Sequence, residues 1–288
     1  MDANALHFRK MNGLGNDFVV VDARTGALVL GADAVRAIAD RKEGIGCDQL
    51  IVLESSEAAD VFMRILDADG GEVAACGNAA RCVAAVVAQE RGRADVTIET
   101  ENQVLGAHVG ADGQVTIDMG VPRLRWDEIP LAEAFHDTRH IELQAGPIDA
   151  PVLHSPAVVN VGNPHASSSS DDVEAVDLGR IGPMLEHHPL FPERANISVV
   201  QVLSPDHVKV RTWERGAGLT QACGTAACAA AVASIRRELT GRTVRTTLPG
   251  GDLVIEWREA DGHVLMTGPF ALDFEGTLPA ELLTPAGV

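Results

Sequence analysis

The sequence predicts an α/β fold made of two similar halves, each a sheet wrapped around one buried apolar helix. Three observations carry that expectation. Polar residues recur at a constant separation of 147 along the 288-residue chain, an apolar helix follows a cysteine in each half, and matching runs of branched apolar residues precede both helices.

The recurrence is ungapped. Cys76 maps onto Cys223, and ACGNAA at 75–80 onto ACGTAA at 222–227. Gly15 and Asn16 fall on Gly162 and Asn163, Gln49 on Asn196, and Asp67 on Glu214. Composition alone does not keep four separated polar sites in register, so the chain reads as an internal duplication.

In the first half, strands are expected at 18–23, 49–54, 61–68 and 96–100, from their length and branched apolar content. The second half answers at 156–161, 197–203, 208–214 and 253–257. One helix is expected from Gly77 to Gly92 and the other from Gly224 to Gly241, the glycines acting as stops. Both are apolar on nearly every face and should be buried. Pro122, Pro130 and Pro147 mark a crossover between about 122 and 150, SSSSDD (167–172) reads as a solvated loop, and PGG (249–251) as a hairpin turn. The halves are set at 1–124, rejoined by a returning segment 274–288, and 125–273.

Composition excludes several classes. With 46% apolar residues the chain can bury a core, and a formal charge of -18 repels nucleic-acid backbones and anionic membranes. The start has no apolar signal core and no run approaches a membrane span, so a cytoplasmic protein without nucleic-acid or membrane partners is expected. Five cysteines, an odd set, favour reduced thiols. Their spacings do not suit zinc, and no metal site is expected.

Cysteines at helix starts suggest chemistry. Unpaired N–H groups and the helix dipole lower a thiol pKa from about 8.5 towards neutrality. The same N–H groups can hold a carboxylate. Two such starts would then grip one substrate carboxylate, with a thiolate removing the α-proton while the opposite thiol supplies one to the other face. A single Cys76 would be an ordinary core residue; its counterpart Cys223 changes that. Cys47, Cys82 and Cys228 have no such counterpart and read as core thiols. KMNGLGND (10–17) lacks the Walker spacing and reads as a turn, GNPH (162–165) as a proline turn with a structural His165, and ERGAG (214–218) as a solvated pair before a glycine loop, unless the repeat gives them a role.

The segments NGLGNDF, GIGCDQ, DADGGEVAACGNAARC, VGNPH, FPERAN and WERGAGLTQACGTAAC closely resemble the diaminopimelate epimerases over nearly the whole chain. The resemblance implies two pseudo-symmetric α/β halves, each a mostly antiparallel sheet or barrel around its helix, with the site in the cleft between them and a homodimeric assembly. It implies interconversion of L,L- and meso-diaminopimelate, a small-molecule amino-acid substrate, without pyridoxal phosphate or any other cofactor, in lysine and peptidoglycan precursor synthesis. Cys76 and Cys223 would be the acid/base pair. Gly77, Asn78, Gly224 and Thr225 would bind the reacting carboxylate, and Asn16, Gln49, Asn163, Asn196 and Arg215 the rest of the substrate. His165 and Glu214 would support the thiols' protonation states, Glu214 also touching substrate.

The chain departs from the family pattern at Asp67, where asparagine is usual, at Leu219, and at Ala79 and Ala226, where glycines are common. The alanines suit helices. Asp67 is expected to face the distal ammonium of diaminopimelate, as a substrate-binding residue. Competing readings are a same-fold racemase of histidine or a proline derivative, a pyridoxal-phosphate enzyme using Lys10, Lys42 or Lys209, and a catalytically silent binding protein.

Overall fold

A computed structural model of the chain describes residues 6–26, 28–73, 76–279 and 282. The first part of the chain forms β1 (His7–Gly13), β2 (Asn16–Asp22), α1 (Ala32–Ala39), β3 (Gln49–Glu54), β4 (Val61–Asp67), α2 (Gly77–Arg91), β5 (Asp95–Glu99), β6 (Val104–Val109) and β7 (Val115–Asp118). Then follow β8 (Gln144–Ala145), β9 (Leu153–His154), β10 (Ala157–Asn160), β11 (Pro164–Ser169), α3 (Leu178–Glu186), β12 (Asn196–Ser204), β13 (His207–Glu214), β14 (Gly218–Leu219), α4 (Gly224–Arg236), β15 (Thr243–Leu248), β16 (Gly251–Trp257) and β17 (Val264–Gly268), with β18 (Ala271–Thr277) last. Two compact units result, 1–117 with 268–288, and 118–267.

Each unit shows the same strand logic. In the first, β1/β2, β3/β4 and β5/β6 are antiparallel pairs joined by parallel pairings of β2 with β3 and β4 with β5. In the second, β10/β11, β12/β13 and β15/β16 are antiparallel, with parallel joins of β11 to β12 and β13 to β15. All eight strands expected from the sequence are present. The mostly antiparallel α/β halves are therefore duplicated in topology as well as in sequence.

The central helices are buried because they have almost no polar face. Every residue of α2 from Gly77 to Ala88 is buried, and α2 packs on β1, β2, β4, β5 and β6. α4 packs likewise on β10, β11, β12, β13, β15 and β16. Alanines let the strands approach closely, and each fully buried valine adds roughly 1.5–3 kcal/mol. A second apolar cluster in each unit lies elsewhere: Val35 and Ile38 of α1 meet Val19, Val21 and Leu50, while Leu178 and Leu185 of α3 meet Ile197 and Val199.

Several sequence expectations need correction. The segment 122–150, expected as a crossover, contributes to a core: Ile129, Leu131, Ile141 and Leu143 sit in the core of the second unit. Met119 N–H already donates to Val264 O, and Val264 N–H to Gly120 O, which puts the unit boundary at 117/118 instead of 124/125. At the other end the return begins at 268, because β18 pairs with β1 from Ala271 onward. Residues 280, 281 and 283–288 of the expected returning segment, and Ala75 of the first cysteine motif, lie outside the described residues.

SSSSDD is only partly a loop. Ser167 and Ser168 are buried in β11, whose backbone is bonded to β10 on one side and β12 on the other. PGG does turn the β15/β16 hairpin, with Leu248 paired to Gly251. Gly92 ends α2 in the left-handed conformation, φ 64°. Gly241 does not end α4. The helix stops at Arg236, where Glu238 takes φ 58°, its N–H donating to Ile235 O and that of Leu239 to Ser234 O. That is a Schellman closure without glycine, the backbone hydrogen bonds offsetting the left-handed strain.

Candidate active site

In the first unit the site residues gather where strand ends meet the start of α2. Asn16 opens β2, Gln49 opens β3 and Asp67 closes β4, with Gln49 and Asp67 directly paired across the ladder. The β1/β2 hairpin turns through Leu14 and Gly15, at φ 61° and 83°. Two positive φ values in a two-residue loop match the right-handed twist of the strands. A Cβ on Gly13 would come within 2.9 Å of Arg81 Nη2 and 3.3 Å of Asn78 Cβ, so the hairpin lies directly on the first turn of α2. KMNGLGND is thus a turn, as expected, with a strand on each side.

Cys76 is the N-cap of α2, partly exposed, and makes no side-chain cap bond. Asn16 Oδ1 accepts from Cys76 Sγ at 3.7 Å and from Asn78 Nδ2 at 3.3 Å. The Asn16 amide nitrogen donates to Asp48 at 2.8 Å. Because a carboxylate only accepts, Asp48 forces the Asn16 oxygen towards the sulfur. Arg41 holds Asp48 at 2.7 Å and Asp17 at 2.8 Å. Burial opposes the charge of Asp17, yet hydrogen bonds from Arg41 and Lys10 hold its carboxyl well below the usual range. Sequence reasoning missed this support because position 195, the repeat partner of Asp48, is an alanine.

Gln49 Nε2 donates to Asp67 Oδ1 at 2.8 Å, and Gln49 Oε1 is buried without a partner among the described residues. Burial pushes the Asp67 carboxyl up; the Gln49 hydrogen bond opposes it, and the charges of Asp69 and Asp48 add to the rise.

In the second unit Asn163 lies in the turn before β11, His165 in β11, and Asn196 at the start of β12, paired with His165 in the parallel ladder. GNPH is therefore a turn leading into a strand. His165 Nε2–H donates to Asn163 Oδ1 at 2.7 Å, which leaves Nδ1 buried without a partner among the described residues. Burial, aided by the Arg215 charge, pushes the His165 pKa down to about 3, so the ring is neutral near pH 7. Asn196 Oδ1 accepts the Arg215 N–H at 2.9 Å, and its amide nitrogen donates to Pro164 O at 3.2 Å. Glu214 closes β13 and accepts a hydrogen bond from the Thr220 hydroxyl.

Cys223, the N-cap of α4, is buried, with Sγ 3.4 Å from Thr225 Oγ1. Burial and then the Glu214 carboxylate push this thiol well above its ordinary range. The expected lowering by the helix start is reversed here, because desolvation and a neighbouring anion outweigh the dipole. Gly224 and Thr225 form the first turn of α4, as Gly77 and Asn78 do in α2. A cavity of about 460 Å3 in this unit is lined by Asn163, Arg215, Arg123, Asn160 and Glu193, among others. It brings together two of the expected substrate contacts, Asn163 and Arg215, while Cys223, Glu214 and Thr225 do not line it.

The duplicated fold is shared with solved structures of low sequence identity. A hydroxyproline epimerase from Agrobacterium vitis superimposes with a TM-score of 0.67 at 14% identity, over 96% of this chain and 93% of that one. A methylitaconate-delta-isomerase does so with a TM-score of 0.64 at 15% identity, over 100% and 99%. Closer kinship comes from sequence: the model of the diaminopimelate epimerase family matches residues 8–125 and 157–272. A diaminopimelate epimerase of Rhodospirillum centenum is 57% identical over 278 residues, 96% of this chain and 93% of its own. Another, from Afipia carboxidovorans, is 54% identical over 278 residues, 96% of each chain. The chain belongs to the diaminopimelate epimerase family.

Proposed function

We propose that this protein interconverts L,L- and meso-diaminopimelate by passing the α-proton through two cysteine sulfurs, supplying lysine and peptidoglycan precursors. The observation that carries the reading is that Cys76 and Cys223 occupy the same place in a duplicated fold, each at the N-cap of a buried helix. One sulfur takes the proton from one face of the α-carbon as the other delivers a proton to the opposite face. First-turn amides of Gly77, Asn78, Gly224 and Thr225 stabilise the enolate-like carboxylate that forms meanwhile. No cofactor enters, since acid, base and electrostatic stabilisation all come from the chain.

Glu214 accepts the thiol hydrogen of Cys223 and touches substrate; His165, neutral, supports the site by ordering Asn163. Asn16, Gln49, Asp67 and Arg215 hold the remaining polar groups of the substrate. The protein acts as a cytoplasmic homodimer. Among the described residues no helix is long and apolar enough to cross a membrane.

The test is exchange of the substrate α-hydrogen in heavy water, followed by mass spectrometry. Wild type should exchange and invert diaminopimelate, whereas Cys76→Ala and Cys223→Ala should stay folded and lose inversion. Near-normal inversion in either variant defeats the two-thiol assignment. Turnover of another amino acid, with diaminopimelate inert, defeats only the substrate.

A further inference from the structure

We propose that Glu186 is a positioning residue for this reaction, fixing the turn that carries Glu214 and Arg215; the kinetic half of the proposal rests on the function just argued.

Glu186 ends α3 and is 3% exposed. A carboxylate so deeply buried is costly unless its lone pairs are used. Here each oxygen meets a different donor: Trp213 Nε1–H donates to Oε2 at 2.7 Å and Gly216 N–H to Oε1 at 3.1 Å. Arg194 Nη1, 3.7 Å from Oε1, supplies the compensating charge.

The two donors bracket Glu214 and Arg215 in the chain. Between them the backbone makes a tight turn, closed by Ala217 N–H donating to Glu214 O at 3.1 Å, with Gly216 at φ 78°. Glycine in the third position of such a turn supplies the left-handed conformation without strain. Both inner amides of the turn end on buried side chains, Arg215 N–H on Asn196 and Gly216 N–H on Glu186. Packing sets the register as well: a Cβ on Gly182 would come within 2.4 Å of Trp213 Cγ, so α3 lies flat on the indole. A shift of α3 or loss of either bond therefore moves the carboxylate that faces Cys223. Nothing in the duplication points to Glu186, whose partner position 39 is an alanine.

The test uses the full-length chain. Glu186→Gln is isosteric but leaves one acceptor oxygen for two donors, so Trp213 and Gly216 compete for it. It should lower kcat for diaminopimelate by about tenfold, more than it changes KM, since small misplacements of catalytic groups reduce rate steeply. Amide exchange at Gly216 should quicken while exchange in α4 stays as in wild type. Adding Trp213→Phe removes one competitor, and the double variant should regain kcat and Gly216 protection relative to Glu186→Gln. If the single variant does not fold, the double variant decides by the same Gly216 readout. If wild type proves inert on diaminopimelate, the substrate reading falls and Gly216 exchange alone judges Glu186. Wild-type Gly216 exchange in a folded Glu186→Gln chain overturns the proposal, as does a double variant worse than either single.

Discussion

The two cysteine sites occupy matching places in the duplication but are wired differently. Cys76 is partly exposed and hydrogen-bonds to a neutral amide, Asn16, behind which Asp48, Arg41 and Asp17 form a charged support. Cys223 is buried and faces the carboxylate of Glu214. Asp67, the repeat partner of Glu214, bonds instead to Gln49. The duplication thus places the thiols alike, and differing neighbours set their electrostatics separately. Cys223 is held as a thiol beside an anion, whereas Cys76 donates to the oxygen of a neutral amide whose orientation Asp48 fixes. The proposed inversion needs one thiol and one thiolate, and the neighbouring anion favours the thiol form at Cys223.

The difference is broken most directly at Glu214. Glu214→Gln keeps the side-chain shape and an acceptor for Thr220 but removes the charge that helps hold the Cys223 proton. The thiol pKa should fall, and loss of a proton-handling group should lower kcat by about 100-fold. Stopped-flow alkylation of Cys223 near pH 7 should speed up in parallel. A kcat within a factor of two of wild type would show that the carboxylate does not distinguish the halves.

A smaller effect is expected at His165, where the second unit buries a titratable ring and the first has no counterpart. The folded pKa of about 3 lies below the ordinary 6.5, so between those values the unfolded chain binds a proton that the folded chain refuses. Stability is therefore complete above about pH 6.5 and falls on acidification, by up to about 1.4 kcal/mol per pH unit from this one group. His165→Gln should be less stable than wild type at pH 7, yet lose less between pH 7 and pH 5. Urea midpoints at the two pH values measure the difference. Equal acid losses in both proteins would place the titration elsewhere.

What could be read from the sequence was whatever the repeat or a periodic pattern recorded in side-chain identity. Cys76, Cys223, Asn16, Asn163, Gln49 and Asn196 were visible because each has a partner, and the apolar helices because no face of them tolerates water. Ser167 and Ser168 looked solvated, since a strand bonded on both sides protects its backbone whatever its side chains are. The early stop of α4 at Arg236 was hidden because backbone hydrogen bonds, absent from any residue pattern, replaced the glycine signal. Asp48 and Glu186 stayed out of view for a related reason. Each acts through a contact between elements distant in sequence, and each repeat partner is an alanine.

The smallest effect is expected at Asp67, the mildest of these contrasts. Burial raises its carboxyl, so the folded chain holds that proton more tightly than the unfolded chain does. By linkage the group favours the folded state at low pH and loses that advantage as pH rises through the folded value. Asp67→Asn removes a half-buried charge while its Oδ1 can still accept from Gln49 Nε2. Solvent screens a site this open, so the gain at pH 7 should be slight, a rise of about 1 °C in Tm that shrinks towards pH 4. Diaminopimelate turnover should stay within a few-fold of wild type, because the first-unit thiol does not depend on this carboxylate as Cys223 depends on Glu214. A loss as large as that of Glu214→Gln would mean that the two carboxylates are equivalent in function and that the halves are alike after all. Calorimetry at the two pH values, run beside the kinetics, separates an effect on folding from one on substrate.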